Sequence, residues 1–495
     1  MNTRWLADRF GRWAAPVVVA ISCVALLGGF ASGREADDDR DSRDAPETGL
    51  QGQVPIADQI SGRSLTGYHK GMKLISQNTL LDRGANMQMT TYKHCAYVDN
   101  GSAISHPLQG IAVLDVRDPA SPKLTKIVSS TDGINSWEGL KASEKGGYLL
   151  AFYSVLPPPY GGGQAAGFDV YDISSNCLNP VKVATVSLAD LFPTGGHGMR
   201  LSNDGRTAYI SAPAFPSGTS VPATSHKTLA AFDLSKPSQP KLLATWNWAD
   251  NPQETIDFGF HDGTISADDK TLYWGTVPLF STRSPLDVAR VLVQAFDLTE
   301  IQNRRPNPSF KLLGQVNFED CGGVQAHTVR YARVKGKPYV FAGAECTGIQ
   351  YHAIDVSDPT NMKIVSTFTT EASDPANASK VAPDNVLYFG HYTGVDDVSN
   401  ATTLFVTWYG SGLRALDIRD PTHIEEFAYL NPPAHPNNVF CGFGCATTHE
   451  VLMSDVNYDA ATGNIWFAGV NGGFYVAHIT ESAGPNGLRF RSERD

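Results

Sequence analysis

The stretch Gly110–Ser130, GIAVLDVRDPASPKLTKIVSS, decides how this chain is read. An apolar run ends at Asp115, a turn containing Pro119 and Pro122 follows, and a second run begins at Leu124. Five later stretches repeat the pattern: GFDVYDISSNCLNPVKVATVSL from Gly167, LAAFDLSKPSQPKLLATWNW from Leu229, VQAFDLTEIQNRRPNPSFKLLGQVNF from Val293, YHAIDVSDPTNMKIVSTFTT from Tyr351 and LRALDIRDPTHIEEFAYL from Leu413. Their aspartates, Asp115, Asp172, Asp233, Asp297, Asp355 and Asp417, stand 57 to 64 residues apart. Short runs rich in Val, Ile, Phe and Tyr between Pro, Gly, Asn and Asp turns read as strands. Two more strands precede each stretch, as in HGMRLSN from His197 and TAYISAP from Thr207, joined by an Asn-Asp-Gly turn. Four antiparallel strands per unit make a propeller blade. The period exceeds the ~40–50 residues usual for such repeats, and the surplus falls in loops.

Six units are complete. A seventh starts at His449, runs through GNIWFAGV and GGFYVAHI, and stops without its fourth strand. Near the other end, GMKLISQN (Gly71–Asn78) has the fourth-strand pattern and no blade of its own. Closing the last blade with it removes open sheet edges. The expected fold is all-β, a seven-bladed β-propeller of four-stranded antiparallel blades over residues 67–482, closed by an N-terminal strand, with a C-terminal tail at 483–495. The IAVLDVRDP-type segments resemble the LVIVD-repeat family of secreted bacterial propellers over roughly residues 70–480. All six copies keep the aspartate and four keep a proline within four residues. The resemblance implies fold and export and carries no activity with it.

A net charge of −11, with nothing resembling a basic face, argues against a nucleic-acid partner. Arg4, Arg9 and Arg12 precede the apolar run Ala14–Ala31, and Ala31-Ser32-Gly33 reads as a small-residue cleavage site. Residues 1–33 are therefore a signal peptide or a retained anchor, and an uncleaved segment is the only expected membrane contact. The mature protein is expected in the periplasm or secreted. Residues 34–66 are polar and charge-rich, too poor in apolar surface to offset chain entropy, and read as a disordered linker. Apart from Cys23 there are six cysteines, an even number that suggests disulfides in an exported chain. Cys441 with Cys445 (CGFGC) and Cys321 with Cys346 are the candidate pairs.

Five histidines recur at matching points of five repeats: His197, His261, His327, His391 and His449. Each opens the innermost strand of its blade, so a ring of blades brings them toward one axis. Blade two offers Glu138 at the matching position and blade one Asn86 or a neighbour. Neutral imidazoles held together suit a transition metal ion, and without a thiolate iron or copper is favoured over zinc. Glu138 reads as the catalytic carboxylate, a ligand or an acceptor that fixes a histidine tautomer. The arrangement is similar in architecture to carotenoid cleavage oxygenases, whose propellers hold ferrous iron with four histidines, and to selenium-binding-protein-type thiol oxidases, which use copper. Neither family's wider motifs are evident here.

Blander readings exist. The histidines could bond the repeat aspartates in a structural network or line a wet channel, or they could bind an anionic or polar ligand directly. The network predicts that both features travel together. Blades one and two keep the aspartate without the histidine, and blade seven keeps His449 with His478 in the aspartate's place.

Three long loops, SVLPPPYGGGQAAG, APAFPSGTSVPATSHK and TVPLFSTRSPLDVAR, fall on the histidine face and carry Tyr160, Phe215 and Phe280, the candidate substrate contacts. They suggest a small neutral or aromatic substrate. Asp455 to Asp459 (DVNYD) has the spacing of a calcium loop but lacks its glycine and closing glutamate, and reads as a hairpin. His226, His423 and His435 lie in polar loops and are expected to be exposed. The function that fits is a metal-dependent oxidoreductase. The alternative is a non-catalytic extracytoplasmic binding propeller.

Overall fold

Seven antiparallel sheets follow one another along the chain in the computed structural model, which describes residues 44–101, 108–128, 138–153, 166–192, 196–212, 227–247, 258–278, 291–318, 326–345, 351–436 and 447–480. Blade one is built from Met89–Tyr92, Cys95–Val98, Ile111–Asp115 and Lys123–Val128, each strand pairing with the next. Blades two to six repeat that order. In blade seven, Asn457–Asp459, Asn464–Gly469 and Gly473–Ile479 are completed by Met72–Asn78, with Met72 opposite Ile479 and Asn78 opposite Phe474. The ring closes as the sequence predicts. Blade six gains a fifth strand, Tyr68–Lys70, on its outer edge.

Burial follows position within the blade. The second strand of blade two, Tyr148–Tyr153, is buried along its whole length, while the outer Lys123–Val128 of blade one has no fully buried residue. Hydrophobic clusters lie between neighbouring blades. One joins Leu150, Phe152 and Phe168 of blade two to Met199, Ile210 and Phe232 of blade three. Another joins Trp466 and Phe474 of blade seven to Met89 and Leu114 of blade one. Each blade therefore buries its faces against two others, and the ring is the unit that folds.

The repeat aspartate has a local task. Asp172 accepts a hydrogen bond from the Ser174 amide at 2.8 Å, Asp233 from Ser235 at 3.0 Å and Asp355 from Ser357 at 3.0 Å. Such Asx turns end the third strand and start the hairpin. These aspartates bond within their own turns, which removes the proposed network with the histidines.

One sequence expectation is corrected. From Asp44 onward the polar stretch read as a loose linker is ordered. It includes the helix Ile56–Ser61, and Ala45 bridges to His69. Glu47 pairs with the buried Arg414 of blade six, while the Gln53 side-chain amide and the Ile56 backbone N–H each donate to Asp384 at 2.8 Å. The segment is held by polar partners, which a test of apolar content cannot register. The expected signal segment, residues 34–43 and the tail lie outside the described residues.

A disulfide joins Cys95, which opens the second strand of blade one, to Cys177, in the hairpin after the third strand of blade two. Both sites lie on the face away from the start of the innermost strands. The four cysteines of the expected pairs lie outside the described residues. The bond is consistent with an extracytoplasmic location. Among the described residues no helix is long and apolar enough to cross a membrane.

Candidate metal centre

Strand register fixes which residue of each blade faces the centre. The repeat aspartate pairs with a residue at or near the start of the second strand: Cys95 with Asp115, Tyr148 with Asp172, Thr207 with Asp233, Thr271 with Asp297, Tyr339 with Asp355 and Thr403 with Asp417. Following the ladder to the innermost strand gives Met87, Glu138, His197, His261, His327 and His391 as equivalents. Asn464 opposite His478 and Asn457 opposite Trp466 place Ser454 at that point of blade seven. Blade one presents Met87, the neighbour of Asn86, while Asn86 accepts from the Arg83 guanidinium at 2.9 Å. One expectation is corrected. His449 lies five residues ahead of the blade-seven position, buried, with its Nδ1 3.3 Å from Thr448 Oγ1. Burial lowers its pKa to about 4.

The remaining five converge. His197 Nε2 lies 2.7 Å from His261 Nε2 and 3.2 Å from Glu138 Oε2. That same oxygen is 3.8 Å from His261 Nε2 and 3.9 Å from His327 Nε2, while Glu138 Oε1 is 3.3 Å from His391 Nε2. Ring centroids of successive histidines stand 4.2, 3.7 and 4.1 Å apart. Contact between blade two and blade six is possible only across the middle of a ring.

Small residues make this approach feasible. A Cβ at Gly198, next to His197, would meet the His261 carbonyl oxygen at 1.8 Å. Ser211 Oγ accepts from the Gly198 amide at 3.0 Å and donates to that carbonyl at 2.9 Å. At the equivalent site of blade six, Thr407 Oγ1 donates to Ser454 O at 2.9 Å.

The tautomers favour ligation. His261 Nδ1 donates to His327 O at 3.1 Å and His391 Nδ1 donates to Met453 O. A carbonyl only accepts, so each proton sits on Nδ1 and leaves the Nε2 lone pair directed inward. Nε2 of His391 and both nitrogens of His327 are buried outside hydrogen-bond geometry, although each Nε2 lies 3.3 Å from a carboxylate oxygen. A bound ion would satisfy them.

Charge favours it as well. Burial works to raise the Glu138 carboxyl, but His391 and His197 outweigh it and hold the group well below the usual carboxylate range. Burial, followed by the neighbouring histidines, pushes His261 and His327 well below the usual imidazole range. Burial also opposes protonation of His391, yet the charge of Glu138 raises it. The cluster is thus a buried carboxylate among imidazoles, a donor set suited to a metal cation.

Sequence reasoning missed Glu345, just after the second strand of blade five. Its Oε2 is 3.3 Å from His327 Nε2, its Oε1 is 3.9 Å from His391 Nε2, and it accepts from the Tyr409 hydroxyl. Tyr392 donates to Glu138 at 2.9 Å. Three sets of side chains with ligand spacing occur among the described residues: Glu138–His261–His327, His327–Glu345–His391 and His94–Cys95–Cys177. Both sulfurs of the third belong to the disulfide, which leaves His94 alone there.

A second tier lies three residues further along the same strands. Lys141, Arg200 and Arg330 surround Asp455, which Lys141 contacts directly and which the arginines reach at 3.3 and 3.4 Å. Arg200 also pairs with Asp262. Asp455 is therefore part of a buried ion cluster, and the hairpin read from its sequence begins only at Asn457. His423 is exposed as expected, whereas His435 is buried against Asp82 at 3.2 Å. Tyr160, Phe215, Phe280 and His226 lie outside the described residues.

Comparison with known proteins adds one family. The LVIVD repeat profile matches residues 352–370, the third and fourth strands of blade five. No curated protein matches the chain. Among solved structures, Kuenenia stuttgartiensis hydrazine synthase aligns with 81% of this chain and 97% of its own, at 12% identity and a TM-score of 0.49. The Cps50 (Swd1) β-propeller domain of Myceliophteria thermophila aligns with 80% and 97%, at 11% identity and 0.48. Likeness at that level transfers no activity. The chain is a seven-bladed β-propeller that carries an LVIVD repeat.

Proposed function

We propose that this is an exported metalloprotein, periplasmic or secreted, whose central cluster holds a transition metal ion and carries out metal-dependent oxidoreduction of a small neutral or aromatic molecule. The observation behind the reading is the meeting of four Nε2 atoms, from four consecutive blades, at the carboxylate of Glu138. His197, His261, His327 and His391 would hold the ion as imidazoles. An all-nitrogen and oxygen donor set without thiolate favours iron or copper over a closed zinc site. The ion would supply Lewis-acid or redox chemistry.

The chain's residues set the conditions. Backbone carbonyls of His327 and Met453 fix two tautomers, and Tyr392 and Tyr409 orient Glu138 and Glu345. Burial keeps bulk water from competing for the ligands. The loops carrying Tyr160, Phe215 and Phe280 would orient the substrate.

Elemental analysis of full-length protein purified without an affinity tag tests this. At least one iron or copper per chain is expected, falling at least tenfold in the H261A/H327A double variant. Metal at trace level in a folded wild-type protein would favour the non-catalytic binding propeller instead.

A further inference from the structure

We infer that the cluster is built for a pair of divalent transition ions bridged by Glu138, which rests on the metal reading above and goes beyond a single ion. Its two carboxylate oxygens serve opposite ends of the cluster. Oε2 faces His197 and His261 at 3.2 and 3.8 Å, whereas Oε1 faces His391 at 3.3 Å. A carboxylate placed this way joins two ions more naturally than it chelates one.

Each end has its own ligand group. Glu138, His261 and His327 form one, and His327, Glu345 and His391 the other, with ligand atoms within 4.8 Å in each. They share only His327, whose single Nε2 lone pair can close one of the two coordination spheres. His197 adds a further nitrogen at the first end, 2.7 Å from His261 Nε2. A lone ion held by four histidines and Glu138 would leave Glu345 without a ligand role.

The second carboxylate is also held deliberately. Tyr409 donates to Glu345 and is fully buried, with its backbone at φ +28°. A bulky residue at positive φ is strained, and such strain persists where surrounding structure enforces it, often at functional sites. Glu138 has a matching tyrosine in Tyr392. Two carboxylates, each fixed by its own phenol, flank one row of imidazoles.

Titration of chelator-stripped, full-length protein with copper(II), followed by electron paramagnetic resonance, decides the matter. Two ions per chain are expected, with a signal well below that of two isolated ions because the pair couples through the bridge. E345Q should reduce capacity to one and restore an uncoupled signal. One ion in the wild type, or two that do not couple, overturns the pair and leaves the single-ion reading standing. No binding overturns both. Should E345Q fail to fold, wild-type stoichiometry and coupling decide alone.

Discussion

Replacing Asp455 by alanine is expected to cost about 3–5 kcal/mol of stability, the range for removing one partner of a buried ion cluster. Asp455 belongs to blade seven, while Lys141, Arg200 and Arg330 come from blades two, three and five. One carboxylate thus holds three cations contributed by blades that are not all neighbours. Burial opposes its ionisation, but the cations outweigh burial and keep it far below the usual carboxylate range. Without it, only Asp262 remains to offset the buried Lys141 and Arg200 and the half-buried Arg330. Urea unfolding reads the loss, and D455N should lose nearly as much because the charge, and not the shape, is missing. A loss under 1 kcal/mol in both variants would show that the tier is solvated and incidental.

The same tier sets a pH dependence. Burial, with Arg200 beside it, lowers the Lys141 amine to about 8, below its usual value of 10.5. Between those values the unfolded chain binds more protons than the folded one, so this group's contribution to stability rises with pH. The D455A deficit should therefore shrink as pH rises toward about 8, where Lys141 of the wild type also sheds its charge.

The second large effect is covalent. Reducing the Cys95–Cys177 bond, or substituting both by serine, is expected to cost about 4 kcal/mol, because the bond closes a loop with a sequence separation of 82 residues. It fastens blade one to blade two, next to the closure where Met72–Asn78 completes blade seven. Its loss leaves the histidine cluster untouched, so metal content should not change while the denaturation midpoint falls. An unchanged midpoint after full reduction would mean that interblade packing alone fixes the ring.

The fold was legible because the repeat carries its own register. An aspartate every 57 to 64 residues marks the end of each third strand, and the Asx turns explain why that residue type recurs. The same register made Glu138 and four of the histidines legible. His449 misled because blade seven departs from the ladder, with Leu452 bridging both Tyr409 and Gly469 and displacing the inner strand. Spacing in the sequence does not reveal such a shift.

Glu345 and the charged tier were hidden for another reason. Lys141, Arg200 and Arg330 each read as an ordinary strand charge, and their common partner lies 125 to 314 residues away. Only closure of the ring places Asp455 among them. The ordered segment from Asp44 was missed in the same way, since Glu47 meets Arg414 at a separation of 367 residues.

The most direct measurement of the central claim is X-ray absorption at the metal edge of the loaded, full-length protein. A shell of nitrogen and oxygen ligands at about 2.0–2.2 Å is expected, with outer-shell scattering from three or four imidazoles and no sulfur. A sulfur shell, or scattering from fewer than two imidazoles, would contradict the proposal that separate blades share their histidines around a metal.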